Sequence, residues 1–191
     1  MRNVVRLLRS TLAPLLAAAL LALSLPAAAE DAKASAVLDQ LFAQLRVAPD
    51  PVAARRIDQA IWAVWTNPSD PVLHERMRAV LFSRGTGNIA EALRLLDSLV
   101  ADFPDYAEGW NQRATIHYMM GNLDLSIADC ARVLELEPRH FGALSGRALI
   151  YLQQGKRALA LKDMAAALAV HPFLSERALF PELEHPAATQ I

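Results

Sequence analysis

Five histidines and one cysteine are the first candidates in this 191-residue chain for side chains that bind a metal or serve as nucleophiles and bases. A zinc site needs three or four such ligands at short, regular spacings, as in the HExxH motif or a pair of nearby cysteines. The histidines show no ligand spacing and no cysteine companions; they are His74, His117, His140, His171 and His185. We therefore predict no metal site and no cofactor, with His117 packed between helices and His140 and His171 solvated.

The remaining candidates for catalysis also favour structural interpretations. The single cysteine, Cys130, falls on the apolar face of an amphipathic segment, which favours a buried small hydrophobic side chain over a reactive thiol. Glu135 and Glu137 flank an apolar residue near the end of that segment, and a solvated face explains them better than an acid–base pair. The Gly85-Thr86-Gly87 turn lacks the lysine of a phosphate-binding loop, and no GxSxG nucleophile motif occurs. The sequence predicts a protein that is not an enzyme, since an active site would have to be one that no motif reveals.

The helices that position these residues repeat along the chain with a fixed period. Gly121 follows Gly87, and Gly155 follows Gly121, at the same distance in sequence. A period between about 20 and about 50 residues indicates an array of stacked units, since each unit buries its apolar face only against its neighbours. Small, apolar and proline positions recur at the same spacing as these glycines: Ala92, Ser126 and Ala160; Leu93, Ile127 and Leu161; Val100, Leu134 and Leu168; and Pro104, Pro138 and Pro172.

Each unit has the pattern of two helices joined by a turn. In the central unit, Trp110, Ala114 and Tyr118 stand at helical spacing, a break follows at Gly121, and the helical spacing then resumes from Ile127. The small residues of the recurring columns let the two helices approach closely, because larger side chains would overpack the contact. The recurring prolines end the units, because proline cannot continue a helix interior.

The central unit resembles the tetratricopeptide repeat. The residues that carry the resemblance are Trp110, Ala114, Gly121, Ser126, Val133 and Pro138, and in the next unit Leu144, Ala148, Tyr151, Gly155, Ala160, Ala167 and Pro172. The preceding unit matches in its second helix, through Ala92, Leu96 and Leu99, and departs from the motif in its first, at Arg76, Val80 and Ser83. The resemblance implies an all-α, right-handed solenoid with repeats at 73–104, 107–138 and 141–172.

Residues 1–29 have the layout of a secretory signal peptide. Arginines occupy positions 2, 6 and 9, an apolar run extends from Leu12 to Leu25, and the small residues Ala27 and Ala29 precede Glu30. An uncleaved membrane anchor is the alternative, although the run is short for a span of about 20 residues and two prolines interrupt it. We expect export to the bacterial periplasm, with contact to the membrane only through this segment if it is retained.

Further helices are expected on both sides of the repeats. Residues 30–72 contain two amphipathic segments, which we interpret as a degenerate repeat that caps the exposed end of the array, with Trp62 and Trp65 as core residues. Residues 173–191 contain Leu174, Leu179 and Phe180 before Pro181, which predicts a short capping helix followed by a frayed tail.

The resemblance implies a module that binds other proteins along a concave groove lined by the first helix of each repeat. The expected groove residues are Met77, Leu81, Asn111, Thr115, Tyr118, Met119, Ser145, Leu149 and Leu152. The basic clamp with which some family members grip a carboxylate is missing, since Gln112, Gly142 and Gly146 are among the residues in its place. We expect an adaptor or scaffold that holds a peptide segment of an envelope protein.

Two other classes of function bear on this expectation. A structural subunit of an envelope complex, which self-associates or docks by its convex face, is the alternative to a peptide-binding adaptor. Nucleic acid is not an expected partner: without residues 1–29 the chain has 16 basic against 20 acidic residues, a net charge of −4, and no basic stripe with interleaved aromatic residues.

Overall fold

The computed structural model describes residues 32–183, and within that range every regular element is a helix. The predicted signal peptide and most of the predicted tail lie outside the described residues. The helices are α1 (32–46), α2 (Pro51–Thr66), α3 (Pro71–Gly85), α4 (Ile89–Asp102), α5 (Ala107–Met119), α6 (Leu123–Leu136), α7 (Phe141–Gln153) and α8 (Arg157–Val170), followed by the 3-10 helices η1 (Ser175–Leu179) and η2 (Pro181–Leu183).

Side-chain caps and left-handed glycines set the helix ends. The carboxylate of Asp50 accepts from the backbone N–H groups of Val52 and Ala53 at 2.8 Å, and Asp70 accepts from Leu73 at the same distance. Each first helix of a repeat ends before a glycine with positive φ, where a side chain would be strained; these are Gly87, Gly121 and Gly155, with φ of 76°, 78° and 70°. The three turns therefore have the same geometry, as the period predicts.

The three helix pairs α3–α4, α5–α6 and α7–α8 stack into the all-α solenoid expected from the sequence. The small residues of the recurring column, Ala92, Ser126 and Ala160, are buried at the contact within each pair. Ser126 also donates its hydroxyl to the carbonyl of Ala114 at 2.8 Å, so a polar residue is accommodated there without an unpaired group. Within the described part of the chain, no helix is long and apolar enough to cross a membrane.

A buried ion pair repeats together with the helices. Arg113 of α5 forms a bidentate pair with Asp129 of α6, and one period later Arg147 of α7 forms the same pair with Asp163 of α8. Both aspartates are buried, and the two-bond geometry of guanidinium and carboxylate satisfies their charge. These pairs fix the register of the two helices within the second and third repeats.

The helices α1 and α2 have a different location from the end cap expected from the sequence. Their buried residues Phe42, Leu45, Ala54, Ile61 and Trp65 form one cluster with Phe141, at the start of α7. The hydroxyl of Tyr106, just before α5, donates to the carbonyl of Trp65. The pair thus crosses the amino-terminal ends of α5 and α7, because its aromatic residues find partners there.

The carboxyl-terminal end of the array is covered by η1 and η2. Phe180 is completely buried against the small residues of α7 and α8, including Ala148 and Ala160. Arg157 pairs with Glu182 and so holds η2 against the start of α8. The segment that was expected as one short helix is therefore two 3-10 turns around a buried phenylalanine.

Candidate functional site

A cavity of about 200 Å³ lies between α5 and α7, and we refer to it as the α5–α7 cavity. Two of its lining residues on α7 are glycines: the space beside Gly146 is open, whereas Trp62 of α2 covers Gly142. A Cβ added at Gly146 would meet nothing within 4 Å. The lining residues are Asn111, Ala114, Thr115, Tyr118, Ser126, Cys130, Gly142, Gly146, Leu149 and Ile150.

The polar wall of the cavity rests on a buried carboxylate. Glu108 is 1% exposed and accepts hydrogen bonds from the side-chain amides of Asn111, at 3.0 Å, and Gln112. Because the amide nitrogen of Asn111 is held by Glu108, its carbonyl oxygen is the atom that can accept a bond from a ligand. Thr115 donates its hydroxyl to the backbone carbonyl of Asn111 at 3.0 Å, which leaves the threonine as an acceptor as well.

His140 joins this carboxylate to α2. Its Nδ1 accepts from the backbone N–H of Ala143 at 3.2 Å, so its Nε2 carries the proton that is donated to Glu108 at 3.0 Å. The imidazole is stacked on the indole of Trp65, with ring centroids 3.9 Å apart and planes 4° from parallel. His140 and His171 are both buried, so the expectation that they are solvated is wrong. The sequence around His140 held no local sign of this, because Trp65, which covers its ring, belongs to α2.

Cys130 lies in the cavity wall as a protonated thiol. Burial is the main cause that raises the pKa of Cys130 to about 12, and the charge of Arg147 opposes this rise. Since the thiolate is the reactive form, this side chain contributes a small apolar surface rather than a nucleophile. The prediction of a buried cysteine is confirmed, as the residue is 3% exposed.

The cavity is bounded differently at its two ends. At the end near α2, Gly142 is covered by the indole of Trp62, and a Cβ at position 142 would lie 2.8 Å from Cη2 of that ring. At the other end, Tyr118 is 44% exposed and the adjacent Met119 is 57% exposed. We therefore expect a ligand to enter from the side of the helix–helix turns.

The structure brings together four of the nine expected groove residues. Asn111, Thr115, Tyr118 and Leu149 line the cavity. Met77 is completely buried in the core formed with α4, so it has no surface to offer a partner, and Ser145 is absent from the cavity lining. The other three lie outside the cavity lining: Leu81 and Leu152 are half-buried against the cores of their own repeats, and Met119 is exposed beside Tyr118.

A wider, open cleft of about 1160 Å³ lies between α1, the end of α2 and the loop before α5. Its carboxylates already have partners: Asp70 caps α3, and Asp105 pairs with Arg132 at 3.3 Å. None of the expected groove residues lines it. Across residues 32–183, no cluster of three or more histidine, cysteine, aspartate or glutamate side chains could hold a metal ion. The α5–α7 cavity is therefore the candidate site.

Comparison with known proteins gave one curated relative and a solved structure of the same architecture. No protein-family model matches the chain. A TPR repeat-containing protein from Rhizobium etli is 40% identical over 135 residues, which is 71% of this chain and 66%, slightly less than two thirds, of the relative. A tetratricopeptide repeat protein from Parabacteroides merdae has a TM-score of 0.51 at 21% identity, covering 76% of this chain and 56% of that one. At this identity the second match bears on the fold alone.

Proposed function

Since this chain belongs to the tetratricopeptide repeat family, a family of protein-interaction modules, we propose that it is an adaptor that binds a peptide segment of another protein at the α5–α7 cavity. The observation that carries the proposal is the cavity itself, which is open beside Gly146 on a surface of helices. Binding sites are concave and mostly apolar, with a few placed polar groups, and this cavity has that composition.

The size of the cavity suits one apolar side chain of the partner. A dry cavity of about 150 Å³ accepts a molecule of benzene, so about 200 Å³ accommodates a leucine or phenylalanine side chain. The carbonyl oxygen of Asn111 would accept a backbone N–H beside that residue. Tyr118 would add aromatic area with a polar tip at the open end. The partner is thus a segment with a single large apolar residue between exposed amides.

We place the adaptor in the bacterial periplasm, with an envelope protein as the partner. This part of the proposal is supported by the sequence of residues 1–29, whose basic start, apolar run and small residues are those of an export signal. Convex-face docking remains the alternative for the partner, and the substitution described next distinguishes the two surfaces.

Filling the cavity should abolish partner binding without harm to the fold. Gly146 lies within α7, has open space around it and does not have a positive φ, so Gly146→Leu adds a side chain to the cavity and improves helix propensity. We expect at least a tenfold loss of affinity for the purified partner segment, on the order of 1.4 kcal/mol, measured by calorimetry.

The matched control is Gly85→Leu. Gly85 also has nothing within 4 Å and stands at the end of α3, outside the cavity. This variant should bind as the parent does. If Gly146→Leu binds the same segment with unchanged affinity, the cavity is not the site, and the convex face becomes the candidate.

A further inference from the structure

The outward face of α3 is exposed at the amino-terminal end of the array, and we call it the end face. It is formed by Val72, Glu75, Arg78, Ala79 and Phe82, which fall within an arc of about 120° opposite the buried side of the helix. Phe82 is 73% exposed and Val72 is 61% exposed. These two side chains leave apolar area in water on one face of α3, and burial of that area against a partner would be favourable.

The positions of Glu75 and Phe82 are buried in the other two repeats. Position 109 faces α4, since a Cβ on Gly109 would lie 2.5 Å from Cδ2 of Leu99. Ile116 is completely buried in the core of α3 and α4. The third repeat repeats this arrangement against the second. In the later repeats, the surface that corresponds to the end face packs against the preceding repeat. The residues at corresponding positions are Glu75, Gly109 and Ala143, and Phe82, Ile116 and Ile150.

Two features of this chain restrict what can cover the end face. The helices α1 and α2, which precede it in sequence, have their buried residues in the cluster with Phe141 instead. The opposite end of the array is covered by Phe180 and η2, so a second copy cannot stack head to tail there. A second copy can still meet the end face with its own end face.

We propose that two copies of this chain associate through their end faces, with the two α3 helices antiparallel about a two-fold axis. The midpoint of Val72 and Phe82 is position 77, and the midpoint of Glu75 and Arg78 lies close to it. An antiparallel crossing at that point therefore brings Val72 against Phe82 of the second copy and Glu75 against Arg78 at the same time. The face is complementary to itself in both apolarity and charge.

The charged pair of the end face contributes little to the stability of one chain. Arg78 and Glu75 contact each other at 2.8 Å within α3, with side chains 64% and 67% exposed, and exposed pairs of this kind are weak. One helix face buries less than the about 800 Å² per partner of a standard interface, so the association should be weak and dependent on concentration. This surface is distinct from the α5–α7 cavity, and the inference goes beyond the proposed function.

Sedimentation velocity of the purified chain tests the proposal, over concentrations from about 1 µM to about 1 mM, where small interfaces associate. We expect a monomer–dimer equilibrium that Phe82→Ser weakens at least tenfold. Leu125→Ser is the control, since Leu125 is also exposed, at 54%, and lies on α6 away from the end face. A chain that is monomeric throughout the range, or a dimer that Phe82→Ser leaves unchanged, would overturn the proposal.

Charge reversal tests the two-fold arrangement. Glu75→Arg alone and Arg78→Glu alone should each weaken the dimer, because each places like charges opposite one another across the axis. The double variant should restore it, since the exchanged charges are complementary again. Failure of the double variant to recover contradicts the antiparallel pairing. Gly146→Leu should leave the dimer intact, so the outcome at the cavity and the outcome at the end face are read separately.

Discussion

His171 is a buried imidazole at the contact between α2 and the third repeat. Its ring stands edge to face on Phe141, with centroids 5.2 Å apart, and its Nδ1 accepts from the backbone N–H of Phe173 at 3.2 Å. Burial lowers the pKa of His171, and the nearby carboxylates of Asp58 and Glu176 oppose that change. Burial also raises the pKa of Asp58, which His171 and a hydrogen bond from Trp62 oppose.

These two shifts have opposite effects on stability. The unfolded histidine takes up a proton near pH 6.5 while the folded one stays neutral, so stability is complete above that pH and falls as the pH drops below it. Asp58 gains its proton in the folded state before the unfolded state does, so its protonation favours folding as the pH falls toward 3.8. Just below pH 6.5 we therefore expect the effect of His171, which is a fall in the free energy of unfolding.

Replacing His171 should reduce the loss of stability between pH 7.5 and pH 5.5. Glutamine can still accept from Phe173 but does not titrate, so His171→Gln should show a smaller difference between the urea midpoints at the two pH values. His74→Gln, at a half-buried position on α3, is the control. An unchanged difference in the His171 variant would mean that other groups account for the acid sensitivity.

Single residues were predictable where their neighbours lie within the repeat. Burial of Cys130 and His117 follows from helical spacing, because their contacts come from the adjacent helix. Burial of His140 does not, because Trp65, which covers its ring, comes from a helix that the period does not describe. The ring of His171 packs on Phe141, at the start of α7, which lies far from it in sequence. The lining of the α5–α7 cavity was predictable in part. The sequence indicated Asn111 and Tyr118, whereas the role of Gly146 depends on the open space beside it in the structure.

At the scale of helices, the repeat period predicted the order of the elements and the glycine turns between them. The first repeat departs from the motif and folds as a helix pair nonetheless. Arg76 stands where the motif has a bulky apolar residue, and its guanidinium lies 5.5 Å from the ring centroid of Phe103 while pairing with Asp102 at 2.7 Å. A long arginine side chain thus supplies both the packing and the polar contact that an aromatic residue supplies elsewhere.

The position of α2 could not be predicted from the same period. Its contacts depend on aromatic side chains meeting the starts of α5 and α7, which are tertiary contacts with no regular spacing. One local sign existed in Gly142, a glycine inside a helix, where it lowers helix propensity and so indicates a close approach of another group. The close approach is that of Trp62.

A side chain at position 142 should loosen α2 and leave the repeats intact. The Cβ of Gly142→Val would meet ring atoms of Trp62 at 2.8 and 3.0 Å, so the indole must move, and we expect a loss of about 1–3 kcal/mol in the docking of α2. Hydrogen exchange should become faster in α2 but not in α3–α6. Gly146→Val, one helical turn later with open space, is the control and should leave α2 protected. Equal protection of α2 in both variants would contradict this contact.

At the scale of the whole molecule, the net charge of the protein depends on whether residues 1–29 are removed. They hold three arginines and no acid, so their removal changes the net charge from −1 to −4. A mildly acidic surface suits a protein partner more than a nucleic acid. The composition thus disfavours a nucleic acid as the partner, but it does not identify a protein partner, which depends on the residues of the binding site.

Export should remove residues 1–29. Ala27 and Ala29 have the small side chains that a signal peptidase accepts, so we expect the protein recovered from a periplasmic fraction to begin at Glu30. Intact-mass measurement decides the point. A full-length product held in the membrane would favour the anchor instead.

The crossing of α2 changes how the array can come apart. In a simple array each repeat touches only its neighbours, so unfolding can begin at one end and proceed unit by unit. Here Arg139 pairs with Asp39, 100 positions earlier, and Tyr106 bonds Trp65 across 41 positions. These contacts close long loops in the chain. They also connect the second and third repeats to each other through α1 and α2. The chain should therefore fold more slowly than an array with local contacts alone, and its second and third repeats should unfold together with α1 and α2.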